Sequence, residues 1–558
     1  MKSGRLENLD ASHRNPTSLE NPLSNPTETL CRILAMEMVA KPSVTGTPDE
    51  AAFGPWLRDC LAAKTCFGAA PEVWSFPVAP GDGRHVVALL IRGNGARTVL
   101  LTGHYDTVTT EDYGDLAPLA GLPDPLRDAL LARLARTSDA ASDRVRTDLA
   151  SGAFLPGRGL LDMKGGLAAG LAAMATIAAG PFDGNLLFLA VPDEENASAG
   201  ARSAAAALPA LAAERGLTVV AAINLDAIAD DGDGSAGRVL ATGTVGKVLP
   251  TAFVVGRPVH SGFALRGLNA AVLAGAIAAR LEWAPELTDD SAGLPGTAAS
   301  LLSVKDGKSG YDVTVPGTAY LFWNVLLHRR HPAEVLPIVA ALVAEAVTDC
   351  LTNLARRAAA SGHAGDASGL ETSVAILTYG ALLAEVAAAD PGITQYLNQI
   401  AAATAGSDLP ERCRRMTAAL WEKSERSGPA VVLGLGSIPY LATQVADPGL
   451  SRVIAGFLAD ARDRHGVDLT EAPYFAGISD MSFFGQADDQ AFTTLAADTP
   501  VWDQAIGLAS GALAQVPTIN LGPWGRDYHT AWERTHQDYA FRQLPALLED
   551  LTRRILAS

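Results

Sequence analysis

The chain has 558 residues, 43 basic and 61 acidic, for a formal charge of −18, with 48% hydrophobic and 19% charged residues. This supplies apolar material for a large buried core and excludes collagenous, disordered and disulfide-scaffold classes. The acidic balance argues against a nucleic-acid partner, which needs a basic face to displace counterions, and against an anionic membrane surface. Carboxylates are also the hard ligands that divalent cations prefer, so the acidic count directs attention to metal sites. Five cysteines, an odd number with no CxxC pair, read as reduced thiols of a cytoplasmic protein. The amino-terminal stretch is polar, with no apolar signal core. The uncharged run GGLAAGLAAMATIAAGPF (165–182) is Ala/Gly-rich and at the short limit for a membrane span, so it reads as a buried helix.

Residues 1–26 carry three Asn-Pro dipeptides and read as an extended arm. TLCRILAMEMVA is helical in pattern. Thr47-Pro48-Asp49-Glu50 has the form of a capping box that opens a second helix. HVVALLI (85–91), TVLL (98–101), NLLFLAV (185–191) and VVAAINL (219–225) read as strands separated by Ala-rich helices, the pattern of an α/β sheet. The segment 111–150 is charged and helical, an insertion near the sheet edge. From about residue 245 the order is strand, helix, strand, strand, helix, strand, ending with SVAILTY (373–379), which is the split βαβ arrangement. The expected layout is an arm over 1–26, an α/β body over 27–244, an inserted α+β module over 245–380, and a return to the body over 381–558.

Several motifs fail on inspection. There is no HExxH and no GxSxG. TGTVGK (242–247) and DGDGS (231–235) imitate a phosphate loop and a calcium loop but lack required residues, and both read as turns.

The informative pattern lies at strand ends. Apolar strands deliver His104 and Asp106, Asp162, the pair Glu194-Glu195, and Asp226 to what an open α/β sheet makes its binding edge. Each alone reads as a turn former or a helix-start charge. Together, unpaired, they would repel one another and desolvate badly, a conflict that a dinuclear metal centre resolves.

The motifs PSVTGTPDE (42–50), LLTGHYDTV (100–108), GRGLLDMKGG (157–166), VPDEE (191–195), HSGFALRGLNAA (260–271) and GRDYHTAWE (525–533) are spread along most of the chain. They resemble the aminoacylase, carboxypeptidase-G and succinyl-diaminopimelate desuccinylase family of dinuclear zinc hydrolases, and within it the arginine-utilisation (RocB) branch. The resemblance implies a central sheet flanked by helices with an inserted ferredoxin-like lid. By position it makes Asp162 the carboxylate bridging two metals, with His104 and Asp226 completing one and Glu195 and His529 the other. His529 is identified by Glu533 four residues on. Asp106 would orient the His104 ring, and Glu194 would be the general base. The implied cofactors are two Zn²⁺ per chain, with Co²⁺ or Mn²⁺ as substitutes, and the implied reaction is hydrolysis of a small N-acyl amino acid or dipeptide-like substrate.

Many members dimerise through the lid. His260 matches the lid histidine that reaches the partner's active site and steadies an oxyanion, with Gly267 and Asn269 fitting the surrounding Gly-x-Asn pattern. The sequence also departs from the family. Where common members carry Asp-x-Arg to grip a substrate carboxylate, LFWNVLLHRRHP places Asn324 and Leu326. Arg329 and Arg330 follow, but read as a solvated basic turn. The gap from His104 to Asp162 is long for the family, so the pocket rim is expected to differ. Asp480, in GISDMSFFG, resembles the family's Gly-Thr-Asp loop and reads as structural. Two other readings stand beside the hydrolase: a catalytically silent amino-acid-metabolite binding protein on the same scaffold, and a dinuclear phosphoesterase.

Overall fold

The computed structural model describes residues 25–68, 70–230, 237–290, 296–370, 373–475 and 477–558. Most of the expected arm and the DGDGS stretch lie outside the described residues. The first helix, Pro26–Val39, opens at Asn25, whose side chain accepts from the Thr27 N–H at 3.0 Å. The second, Pro48–Ala62, begins where expected but without the reciprocal cap. The Thr47 hydroxyl donates to the Val44 carbonyl at 2.5 Å, and the Glu50 carboxylate accepts from the Gly46 N–H at 2.7 Å. The preceding turn captured both side chains.

Strands of the two large sheets are, in chain order, β1 (Glu72–Pro77), β2 (His85–Arg92), β3 (Asn94–His104), β4 (Asp183–Val191), β5 (Thr218–Asn224), β6 (Arg238–Ala241), β7 (Gly246–Val248), β8 (Pro250–Val255), β9 (Ser300–Asp306), β10 (Thr318–Leu327), β11 (Ala375–Thr378), β12 (Ala430–Leu435), β13 (Leu469–Ala472) and β14 (Thr518–Asn520). The body sheet runs β1-β2-β4-β3-β5-β14-β6-β13. Its centre is parallel, since β3 pairs in that sense with β4 and β5, and β5 with β14. Both faces are covered, and the alternation shows it. Val86, Ala88 and Leu90 join one apolar cluster, while Val87, Leu89 and Ile91 join another. A sheet buried on both sides explains why these strands read as unbroken apolar runs.

The second cluster lies under the helix Gly165–Ala178, which is buried along nearly its whole length. Two helical stretches among the described residues, Leu160–Ala178 and Pro332–Ala360, are long and apolar enough to cross a membrane by length and composition, but the first is 94% buried in the fold. Val335–Ala360 lays Val339, Leu342, Val343 and Val347 on the first cluster, against the lid.

The lid sheet corrects the expected module in one respect. β9 pairs with one edge of β10, and β7 and β8 share one antiparallel ladder along the other. The strand closing the split βαβ motif is β12, antiparallel to β8, whereas 373–379 supplies only an outer strand, β11, parallel to β12. The sheet therefore continues to Leu435, past the boundary at 380. Three helices, Tyr379–Ala389, Ile393–Ala403 and Leu409–Lys423, separate β11 from β12, and that distance along the chain hides the pairing. TGTVGK is corrected too: it folds as two short strands, Gly243–Thr244 and β7.

The insertion over 111–150 forms the helices Pro123–Leu134 and Ala140–Ser151 around a small core of Tyr113, Leu126, Leu130, Leu134, Val145 and Leu149. Ala531 and Trp532 pack against it, so it braces the chain near His529.

Candidate metal centre

The site is assembled at the carboxyl ends of the parallel strands, the expected edge of such a sheet. His104 closes β3 directly opposite Val191, the last residue of β4, and Glu194 follows three residues beyond. β5 ends at Asn224, two residues before Asp226. Asp162 reaches the same edge from the loop before the helix Gly165–Ala178. That helix comes very close to the end of β5, because a Cβ on Gly166 would lie 2.0 Å from the Leu225 carbonyl oxygen. Only glycine allows this approach.

His529 arrives from the far end of the chain, between the short strands Trp524–Arg526 and Arg534–His536. It and Asp527 both have left-handed backbones, at φ 61° and 53°, a conformation that side-chain-bearing residues adopt at a cost. The surrounding contacts hold them there. Asp148 accepts from Arg526 Nη1 at 2.8 Å and from Arg534 Nε at 2.8 Å, tying both strands to the insertion. Glu533 accepts from the Gly159 N–H at 3.0 Å and from Arg158 Nη1 at 2.7 Å, fixing the loop that carries Asp162.

His104 Nε2 lies 3.1 Å from Asp162 Oδ1 and 3.9 Å from Asp226 Oδ1. His529 Nε2 lies 3.0 Å from Asp162 Oδ2 and 3.1 Å from Glu195 Oε1. Asp162 thus faces both histidines, one through each oxygen. In the two groups His104–Asp162–Asp226 and Asp162–Glu195–His529 the donor atoms all fall within 4.8 Å of one another. A cation bonding nitrogen and oxygen at about 2.0–2.2 Å spans donors at such separations. A third group, His104–Glu194–Glu195, meets the same span, and Glu194 Oε2 is 4.0 Å from His104 Nε2. The resemblance, rather than distance, separates Glu194 from the ligands.

The electrostatics carry the same message. Burial, with Asp162 adding repulsion, pushes Asp226 up to about 8, and burial with the charges of Asp480, Asp226 and Glu195 raises Glu194 well above its ordinary value. Burial also raises Glu195. At Asp162 burial is outweighed by hydrogen bonds from His104 and His529, and its pKa falls. At the imidazoles burial opposes charge, yet hydrogen bonds to Asp162 and Glu195 raise His529 to about 10, and hydrogen bonds to Asp106 and Asp162 raise His104 well above its usual range. Four crowded carboxyls and two imidazoles, their titration strongly displaced by one another, form a donor set suited to divalent metals.

Asp106 meets the His104 ring through two of its oxygens. His104 Nδ1 is 3.0 Å from the Asp106 backbone carbonyl and 3.5 Å from its carboxylate. The carboxylate also accepts from the Glu194 N–H at 3.1 Å, the Glu195 N–H at 3.2 Å and the Thr45 hydroxyl at 2.9 Å.

A cavity of about 250 Å³ opens over these groups, lined by Asp162, Glu194, Glu195, Asp226 and His529 together with Lys247, Phe475 and Tyr528. His260 is not brought there within the chain. It is exposed, and its Nδ1 accepts from the Gly262 N–H at 3.1 Å. Arg329 and Arg330 are not among the lining residues either. Their backbone N–H groups, with that of His328, converge on Asp289 at 2.7–2.8 Å.

The family model for peptidase family M20/M25/M40 matches residues 140–501. The chain belongs to that family. Among curated relatives of this M20 chain, the uncharacterised protein YqjN of Bacillus subtilis is 31% identical over 523 residues, covering 92% of this chain and 94% of that one. Protein RocB of the same organism is 27% identical over 552 residues, covering 96% of each. A tripeptidase from Staphylococcus aureus shares the fold with a TM-score of 0.53 at 15% identity, over 95% of this chain and 99% of its own. The aminopeptidase PepT from Bacillus cereus gives 0.51 at 14% identity, over 95% and 98%.

Three residues of this M20 site escaped the sequence. Asn520, on β14, accepts from the Asp226 N–H at 3.0 Å and donates to its carbonyl at 2.8 Å. Lys247 was hidden in a stretch read as a turn, and Tyr528 beside His529 gave no signal but its proximity. Asp480 is fully buried and raised to about 7, with burial the main cause.

Proposed function

We propose that this M20 chain is a dinuclear metallohydrolase that cleaves an amide or peptide bond of a small N-acyl amino acid or dipeptide-like substrate. The observation carrying this reading is that Asp162 faces His104 and His529 through separate oxygens, with Asp226 and Glu195 completing two adjacent donor groups. Two Zn²⁺, with Co²⁺ or Mn²⁺ as substitutes, would fit these groups and would supply Lewis acidity toward a carbonyl and a lowered pKa for water.

The remaining chemistry belongs to the protein. Glu194 lies at the cavity wall without a place in either of the two groups that share Asp162, so its carboxylate is free to accept a proton from water and deliver it to the leaving amine. Asp106 holds the backbone of Glu194 and Glu195, and Asn520 holds that of Asp226, keeping both walls in register. A cavity this small suits a compact substrate and leaves little room for bulk water.

The chain would act as a homodimer through its lid, in a reducing compartment such as the cytoplasm. β9 pairs with β10 on one side, and Leu302 and Val304 on it are 56% and 52% exposed. Such an edge favours pairing with a second copy. Across it His260 would reach the partner's cavity.

The test is hydrolysis of a panel of dipeptides and N-acyl amino acids, arginine and ornithine derivatives included, by protein stripped of metal and then reconstituted. Cleavage restored by Zn²⁺, Co²⁺ or Mn²⁺ is expected. A fully reconstituted protein that cleaves no amide contradicts the reading.

A further inference from the structure

Lys247 is the only lysine or arginine among the described residues lining the cavity, which otherwise carries four carboxyl groups. It sits in β7, held by reciprocal backbone hydrogen bonds with Tyr440 at 2.8 and 2.9 Å, so its place in the wall is fixed. Among the described residues no carboxylate lies within ion-pair distance of its Nζ. Nζ faces the Tyr440 ring, 5.6 Å from its centroid. A ring face attracts the charge but leaves three N–H donors unused. Burial lowers the pKa of this ammonium, and the charge of Glu194 opposes that shift.

The neighbours offer no substitute. Leu326 stands directly opposite Lys247 in the ladder between β7 and β10, on the same side of the sheet, and is apolar. Arg329 and Arg330 do not line the cavity; their backbone N–H groups bind Asp289 and Arg330 Nη2 donates to the Thr288 carbonyl. A half-buried ammonium with no hydrogen-bond partner among the described residues is stabilised by a ligand that completes it. In a cavity already rich in carboxylates, a compact monoanion is tolerated better than a phosphate dianion.

We propose that Lys247 is a specificity-determining residue of this site, donating hydrogen bonds to a carboxylate of the substrate and selecting acids over their neutral counterparts. This rests on the amidohydrolase reading for the identity of the substrate, but the binding it describes is measurable without turnover.

The experiment uses matched pairs, dipeptides and N-acetyl amino acids each beside its C-terminal amide, on metal-loaded protein. Binding is measured by calorimetry and thermal shift on the Glu194→Gln variant, and kcat and KM on the otherwise native enzyme. Both backgrounds are then compared with Lys247→Met and Lys247→Arg. For binding pairs the free acid is expected to bind about tenfold or more tightly than its amide, the scale of a charged hydrogen bond. Lys247→Met should abolish that preference through KM with kcat little changed, and Lys247→Arg should restore part of it.

Equal affinity for acid and amide, no binding by any pair, or an equal fall of kcat on both members of a pair in Lys247→Met would overturn the proposal. The last would mark Lys247 as acting on Glu194. Acid-selective binding lost in Lys247→Met but without hydrolysis would leave Lys247 in its role and overturn the hydrolase reading instead.

Discussion

The Asp106 carboxylate accepts the backbone N–H of Glu194 at 3.1 Å, and its other oxygen accepts that of Glu195 at 3.2 Å. One buried side chain at the end of β3 therefore sets the path of the loop after β4, while its own carbonyl orients His104. Asp106→Asn presents an amide N–H to one of these donors. It should cost about 1–3 kcal/mol of stability, the range for a buried hydrogen bond left unmade, and weaken metal retention. Thermal unfolding and metal content measured together check this. Unchanged values for both would show that the loop holds its path by other contacts.

Asp148 ties the insertion to both strands flanking His529. Replacing it with Ala should leave the body folded but loosen the left-handed turn at Asp527 and His529. The expected result is preferential loss of the metal held by Glu195 and His529, read by titration with Co²⁺, whose absorption reports each site. Equal weakening of both sites, or of neither, would argue against a local bracing role.

Without metal the site should make stability fall as pH rises. Asp226, Asp480, Glu50 and Glu533 are raised to about 8, 7, 7 and 7, with burial the main cause in each, from ordinary values of 3.8 or 4.5. Across that window the folded chain retains protons that the unfolded chain has lost. His529, raised from 6.5 to about 10, has the same sign over its own window, while Lys164, lowered to about 7 by burial, has the opposite sign above that pH. Chelated protein should thus unfold at a lower temperature at about pH 8 than at about pH 6, and added divalent cation should narrow the difference. A higher unfolding temperature at the upper pH would contradict this balance.

Leu302 and Val304 are exposed on β9, which among the described residues pairs only with β10. Leu302→Lys combined with Val304→Glu should convert a dimer to a monomer in light scattering without lowering the unfolding temperature much, since neither side chain is in the core. If His260 serves the partner's cavity, hydrolysis should fall with dissociation. A monomeric native protein would remove the lid interface from the account.

Most residues of the proposed centre were legible because apolar strands announce their own ends, and His104, Glu194, Glu195 and Asp226 lie at or just after those ends, whereas Asp162, expected at a strand end too, comes from the turn Leu160–Lys164 before a helix. His529 was reached only through the resemblance, since a loop far along the chain carries no strand signal. Asn520 and Lys247 were not legible. Each acts through a partner hundreds of residues or several elements away, a relation fixed by strand pairing rather than by local pattern. β12 was displaced for the same reason: its apolar run suits either sheet, and only the pairing with β8 decides between them. Asp106 was found beside His104, but the two amides it also holds were not, because sequence shows a carboxylate near a histidine and not the loop it fixes.

The measurement that bears most directly on the central claim is metal content and hydrolysis of the native protein beside Glu194→Gln and Asp162→Ala. The account expects about two divalent cations per chain in the native protein and in Glu194→Gln, with turnover lost by roughly two to four orders of magnitude in the latter. In Asp162→Ala both metals should be lost together. Full metal occupancy in Asp162→Ala, or undiminished hydrolysis in Glu194→Gln, would contradict it.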